Sequence, residues 1–221
     1  MSRSRWIWTG LLALLLAQAG GCQGMLAWTV AQFAPPKKVP AEYRWPKHDR
    51  VLVLVEDPWG QLEYEPIKGE LTTRLNEQLV DNGVARAVVD YHRLIELKNR
   101  TPGFDGLAQS LAGQAAGADL VLYVRIDEFH LHNEPTSPIW QGKFKTSICV
   151  TDTTEGLLWP KDRPRGYPVG PIETPITAES DLRYGVKLAR RLADEMADRI
   201  AKCFYEYEVS RDPKRSWETG Q

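Results

Sequence analysis

The chain has 221 residues, and its 28 Lys and Arg residues are nearly balanced by 29 Asp and Glu residues, giving a formal net charge of −1. That balance argues against a nucleic-acid-binding surface, which needs a basic excess. The length is enough for one substantial hydrophobic core and too short for two comfortable domains.

The N-terminal residues have the layout of a secretory signal. Arg3 and Arg5 precede an apolar run at residues 6–19, and small residues then lead to Cys22. The run has about 14 residues, fewer than the roughly 20 that a helix needs to cross the hydrocarbon core of a membrane. The pattern therefore favours a signal over a permanent membrane span.

At Cys22 the signal resembles the lipobox of bacterial lipoproteins, in which small residues precede a cysteine that is lipidated and becomes the mature N-terminus. The small residues here are Ala19, Gly20 and Gly21. The resemblance implies removal of residues 1–21 and attachment to a membrane through acyl chains such as palmitate on Cys22. Two or more such chains anchor a protein stably. Ordinary secretion and an uncleaved anchor remain as alternatives.

The resemblance also implies a cellular location and a domain organisation. Gln23, rather than Asp, follows the cysteine, which under the sorting rule of some bacteria favours the outer over the inner membrane, with the domain facing the periplasm. We expect a membrane-proximal tether at residues 22–50, stiffened by prolines. A single α/β domain at residues 51–209 and a polar tail at residues 210–221 follow.

The first half of the domain predicts alternating strands and helices. Residues 51–55 form a continuous aliphatic run, typical of a strand buried on both faces. Residues 84–90 predict a second strand, parallel to the first through a crossover helix that Asn82-Gly83 ends. Residues 91–98 and the Ala-rich residues 107–116 predict two more helices. The crossover helix carries apolar residues at every fourth position: Ile67, Leu71, Leu75 and Leu79.

The middle of the domain predicts an antiparallel hairpin of two long strands. Residues 119–132 and 139–151 alternate apolar and polar side chains, so each strand has one face that is at least partly exposed to solvent. In the first of these strands the apolar alternation changes parity at Asp127-Glu128. A β-bulge at that point would restore all the apolar side chains to one face.

Beyond the hairpin, residues 157–159 predict a short returning strand. Five prolines between residues 160 and 175 then exclude regular structure. Residues 180–207 predict the strongest amphipathic helix. Its apolar stripe consists of Leu182, Val186, Ala189, Ala193, Met196, Ile200 and Phe204. The order β-α-β-α-β-β-β-α predicts an α/β fold, a mixed-sheet sandwich with helices packed on the sheet.

Few residues suggest chemistry. The sequence contains no common nucleotide-binding, zinc-protease or nucleophile-elbow motif, which favours a protein without catalytic residues and without a cofactor. Glu128, His130 and His132 are a weak candidate for metal ligands, because alternate residues of a strand point to one side. The favoured interpretation is a solvent-exposed strand face without metal, since the sequence offers no obvious fourth ligand to complete a tetrahedral site.

Two cysteines remain if Cys22 carries lipid. In an exported protein, Cys149 and Cys203 are candidates for a disulfide, with two partly buried free thiols as the alternative. The proline-rich loop, residues 160–178, is the candidate for contacts with a partner, because long ordered loops are often functional. Its candidate contact residues are Arg163, Arg165 and Tyr167.

Several short motifs together resemble a superfamily of small envelope lipoprotein domains. They are the lipobox, the strand at residues 51–55, Gly117-Ala118-Asp119 before the next long strand, and Val150 and Asp152 with Gly156 and Trp159. The superfamily includes the N-terminal domain of the Tol-system propeller protein, the curli-secretion lipoprotein and the lipoprotein activators of penicillin-binding proteins. The chain is also similar to uncharacterised single-domain lipoproteins.

The resemblance covers about residues 50–206 and implies a non-enzymatic structural or adaptor module that binds protein partners in the cell envelope. A lipoprotein subunit of an export or pore assembly is the alternative, and a periplasmic metal-binding protein or enzyme is a third hypothesis. The partner, the pathway and the oligomeric state do not follow from the sequence.

Overall fold

The computed structural model describes residues 37–45, 50–132, 139–178 and 183–209. The predicted signal, Cys22 and the predicted polar tail lie outside these ranges. Contacts divide the chain into a main unit, Pro40–Tyr207, and a second unit whose described residues are 37–39 and 208–209. In the second unit, the Val209 N–H donates a hydrogen bond to the Lys37 carbonyl at 2.9 Å.

The chain contains both strands and helices, and the predicted α/β class is confirmed. The strands are β1 (Lys38–Val39), β2 (Arg50–Glu56), β3 (Ala87–Val88), β4 (Leu120–His132), β5 (Trp140–Asp152), β6 (Gly156–Trp159), β7 (Tyr167–Glu173) and β8 (Tyr207–Glu208). The helices are α1 (Ile67–Asp81), α2 (Tyr91–Arg100), α3 (Gln109–Ala116) and α4 (Arg183–Lys202), with a 3-10 turn at Phe104–Gly106.

The main sheet is mixed and has the strand order β3-β2-β4-β5-β6, with β7 also paired to β5. Strand β2 runs parallel to both β3 and β4. The crossover through α1 joins β2 to β3, and α2 and α3 lie between β3 and β4 in the chain. Strands β4 and β5 form the predicted antiparallel hairpin. Strands β6 and β7 lie one after the other along the second edge of β5.

Helices cover both faces of the sheet. On one face, α1 and α4 enclose the larger core, which contains Val53, Leu122 and Ile148. On the other face, α2 and α3 cover a smaller cluster that contains Leu54 and Val121. We call these the α1/α4 face and the α2/α3 face. Because β2 contributes to both clusters, its continuous aliphatic run is explained.

The predicted bulge in β4 is confirmed. The pairing of β4 with β5 shifts register between Ile126 and Glu128. As a result Phe129 and Leu131 join the same core as Ile126, although their sequence parity is opposite. The register shift therefore reverses the parity of the core-facing residues after Ile126.

The prediction that prolines exclude regular structure after Pro160 is wrong, because residues 167–173 form β7. Strand β7 lies at the edge of the sheet and pairs with β5 alone. An edge strand tolerates proline, since it does not need every N–H for a ladder. Gly170 has φ of +93°, which bends the strand so that Val169 and Ile172 both reach the core.

The predicted stripe of the last helix is partly wrong. Val186 is 37% exposed, whereas Gly185 and Leu188 are buried. A Cβ atom on Gly185 would lie 2.6 Å from the Trp140 ring, so this close contact between α4 and β5 needs a residue without a side chain. Hydrophobic periodicity assigns no packing role to glycine. Phe204 is in the core, but it follows the end of α4.

Part of the predicted tether belongs to the folded main unit. Tyr43 and Trp45 pack against the core, and the Tyr43 N–H donates to the Cys203 carbonyl at 3.0 Å. The Tyr43 ring also stacks on Trp159, with ring centroids 5.5 Å apart. The main unit therefore begins at residue 40 rather than at residue 51.

Candidate functional site

A cavity of about 570 Å³ opens on the α2/α3 face of the sheet. Its walls are the first residues of α3, the outward side chains of β4 and β5, and the loop between β6 and β7. Helix α3 packs on β2, β4 and β5, and the cavity opens between the first residues of this helix, the outward side of β5 and the loop between β6 and β7. The volume falls within the roughly 300–1,000 Å³ that is usual for small-molecule sites.

Charged and polar side chains form the part of the cavity that β4 contributes. Burial, with a smaller contribution from the Glu56 carboxylate, raises the pKa of Tyr123. Arg125 Nε lies 2.8 Å from Asp127 Oδ1, and Asp127 also accepts a hydrogen bond from the Ser147 hydroxyl. The Asp127 carboxylate is therefore already engaged by two neighbouring donors.

Cys149 lies on the cavity wall that β5 forms. Its thiol donates to Gln109 Oε1 at 3.4 Å, and the Thr151 hydroxyl donates to the same oxygen at 2.7 Å. Burial raises the pKa of the Cys149 thiol, although the hydrogen bonds to Gln109 and Thr151 oppose the shift. The thiol is thus protonated at neutral pH, which is the opposite of an activated nucleophile.

The predicted contact residues are divided between the cavity and the sheet. Arg163 and Arg165 line the cavity, and the Arg163 guanidinium lies 5.1 Å from the centroid of the Tyr167 ring. Arg163 Nε also lies 3.7 Å from an Asp162 carboxylate oxygen. Tyr167 begins β7 and packs on Trp159, with ring centroids 4.7 Å apart. Tyr167 therefore fixes the end of the loop.

The two candidate disulfide partners are free thiols. Cys149 faces the cavity on the α2/α3 face, whereas Cys203 belongs to the core of the α1/α4 face. Cys203 Sγ donates to the Arg199 carbonyl at 3.4 Å. The sheet lies between the two side chains, so the candidate disulfide is not formed.

Glu128, His130 and His132 lie in the last part of β4, and the pairing of β4 with β5 shifts register a second time between His130 and His132. The structure adds Glu63, whose two carboxylate oxygens lie 3.7 Å from His130 Nδ1 and 3.5 Å from His132 Nδ1. Lys143 Nζ lies 2.9 Å from Glu128 Oε1. Across the described ranges, no three His, Cys, Asp or Glu side chains are arranged to hold a metal ion.

The cavity contains residues that the sequence did not single out, namely Gln109, Tyr123 and Arg125, and it contains Cys149, which the sequence singled out only as a disulfide candidate. They come from three separate elements, and only the pairing of β4 with β5 and the packing of α3 bring them together. The alternation of β5 did indicate that Cys149 lies on its polar side. In the part of the chain that the structure describes, no helix is both long enough and apolar enough to span a membrane.

The chain matches no protein-family model and no curated protein. It is similar to a point variant of the PelC dodecamer from Paraburkholderia phytofirmans, with 10% identity over 77% of this chain and 99% of that one and a TM-score of 0.41. It is also similar to lipoprotein GNA1162 from Neisseria meningitidis, with 15% identity, 68% and 99% coverage and a TM-score of 0.40. The minor lipoprotein from Acinetobacter baumannii gives 13% identity, 69% and 89% coverage and a TM-score of 0.33. These similarities are remote.

Proposed function

We propose that the chain is a lipid-anchored protein of the cell envelope, held by acyl chains on Cys22. The observation that carries this proposal is the sequence Ala19-Gly20-Gly21-Cys22, which begins at the last of the apolar residues 6–19. Each buried CH₂ of an acyl chain contributes about 0.8 kcal/mol, so two or three chains hold the protein on the membrane for long periods. The domain faces the periplasm, and the outer membrane is its site of attachment.

We propose further that the domain is a non-enzymatic module that binds a protein partner. The protonated thiol of Cys149 supports this, because the cavity then offers no activated cysteine. Arg163 and Arg165 are exposed on the loop beside the cavity and are available for contact. The tether between Cys22 and residue 40 has a fully extended reach of roughly 60 Å. A partner within that distance of the membrane can be reached.

Replacing the lipidated residue tests the anchor. In the full chain, Cys22→Ser is expected to abolish incorporation of labelled palmitate, because serine lacks the sulfur that carries lipid. A larger fraction of the variant protein is also expected to be extracted from washed membranes, since the uncleaved apolar segment then attaches it in place of the acyl chains. Labelling and carbonate extraction of cell fractions measure both effects.

The matched control is Cys149→Ser, which removes a thiol from the folded domain and leaves Cys22 in place. This variant is expected to label with palmitate as the unaltered chain does. Equal labelling of the Cys22→Ser variant and the unaltered chain would refute lipid attachment at Cys22.

A further inference from the structure

We propose that the cavity on the α2/α3 face binds a small organic anion, in which a carboxylate, sulfonate or phosphate group is carried on an apolar body. The inference goes beyond the proposed function, because it concerns the interior of the domain and requires neither the lipid anchor nor a protein partner. An arginine without an acidic partner, hydrogen-bond donors and apolar surface in the cavity each support it.

Arginines outnumber carboxylates among the described residues that line the cavity. Arg125, Arg163 and Arg165 line it, whereas Glu56 supplies the one carboxylate. Arg125 is paired with Asp127 and Arg163 with Asp162. The arginine that remains for an acidic ligand is therefore Arg165.

Arg165 has no ion pair or hydrogen bond with any residue that the structure describes. A guanidinium carries five N–H donors and pairs in a two-pronged manner with carboxylate, sulfonate or phosphate oxygens. An arginine that lines the cavity and forms no ion pair with a described Asp or Glu is therefore a binding group for an anion. Arg165 lies on the loop after β6 and can turn toward a ligand without breaking a contact of the fold.

Further donors line the cavity at the start of α3. The Gln109 side-chain oxygen accepts hydrogen bonds from both Cys149 and Thr151. Its amide nitrogen therefore retains two N–H groups for a ligand, and the Ser110 hydroxyl lines the same wall. Since these groups donate, a ligand rich in acceptors satisfies them best.

The cavity also offers apolar surface for the body of the ligand, through Leu54, Leu107, Leu157 and Pro164. A pocket that combines apolar walls with a few fixed polar groups is the usual form of a small-molecule site. An extended peptide fits less well, because β5 is already paired with β4 on one edge and with β6 and β7 on the other. No edge of β5 is open for strand addition.

Titration calorimetry on the full chain in phosphatidylcholine nanodiscs tests the proposal. The probes are naphthalene-2-sulfonate and its neutral isostere naphthalene-2-sulfonamide, and empty nanodiscs correct for partitioning into lipid. We expect saturable binding of the sulfonate with at least tenfold higher affinity than that of the sulfonamide. Arg165→Gln is expected to weaken sulfonate binding at least fivefold and to leave sulfonamide binding unchanged.

Two further variants test whether the probes bind in this cavity. Arg93→Gln removes an exposed arginine of α2 that pairs with Glu96, and it is expected to bind both probes as the unaltered chain does. Ser110→Trp fills the cavity from its rim and is expected to abolish binding of both probes. Circular dichroism confirms that each variant is folded.

Three outcomes would overturn the proposal. They are the absence of saturable sulfonate binding, equal affinity for the two probes, and sulfonate binding that Arg165→Gln and Ser110→Trp leave unchanged. Binding of a hexaglutamate peptide without binding of the sulfonate would assign the arginines to an acidic protein segment instead, and would likewise refute a small-molecule site.

Discussion

Replacing Phe144 with Ala is expected to lower the free energy of unfolding by about 3–5 kcal/mol. Phe144 lies on β5, is fully buried, and meets the Phe129 ring edge-on across the β4–β5 pair, with ring centroids 5.1 Å apart. The substitution removes a large apolar surface and leaves a void that packed neighbours fill only partly. Urea unfolding followed by circular dichroism measures the change.

The matched control for Phe144 is Ile176→Ala. Ile176 is 62% exposed, so its loss is expected to change the free energy of unfolding by less than about 0.5 kcal/mol. If the two variants unfold at the same urea concentration, Phe144 is not part of the core that the fold assigns to it.

The second large effect is a loss of stability at alkaline pH. Cys203 is 8% exposed, and burial, with a smaller contribution from the Glu42 carboxylate, raises the pKa of its thiol from 9.0 to about 12. The folded chain therefore holds this proton more tightly than the unfolded chain. The resulting stabilisation is complete below pH 9 and is lost as the pH rises from 9 to 12. At 1.36 kcal/mol for each tenfold change, it is on the order of 4 kcal/mol.

Urea unfolding at a series of pH values between 8 and 11 measures this loss. Cys203→Ala removes the titrating group, so its stability is expected to fall less steeply with pH than that of the unaltered chain. Some decline persists in the variant, because burial also raises the pKa of Tyr123 and Cys149. Parallel pH profiles for the variant and the unaltered chain would contradict a buried, protonated Cys203.

Elements that depend on local periodicity could be predicted from the sequence. The fourfold spacing of leucines in α1 and the aliphatic run of β2 each specify their element, because burial alone explains the pattern. The bulge in β4 was equally accessible, since a change of parity at Asp127 can be reconciled with one core face only by an extra residue.

Elements that depend on contacts between distant segments were missed. Strand β7 forms because the edge of β5 is available for pairing. Its prolines argue against a strand when only the local sequence is considered. Gly185 packs on Trp140 through the absence of a side chain, which hydrophobic periodicity does not count. In both cases, the deciding partner is distant along the chain.

The candidate site shows the same division. The proline-rich loop could be chosen from its length and composition, and Arg163 and Arg165 do line the cavity. The donors of Gln109 and the polar wall at Cys149 could not be placed with them, because their meeting depends on how α3 crosses the sheet. The sequence indicated polar residues on β5, and the position of α3 and of the loop between β6 and β7 makes that polar face one wall of the cavity.

The lipid anchor is tested most directly by mass spectrometry of the mature N-terminus, on protein extracted from native membranes with detergent. The account predicts a chain that begins at Cys22 and whose N-terminal peptide carries the added mass of acyl chains on the cysteine sulfur. A mature chain that begins at another residue, or an N-terminal Cys22 without added mass, would contradict it.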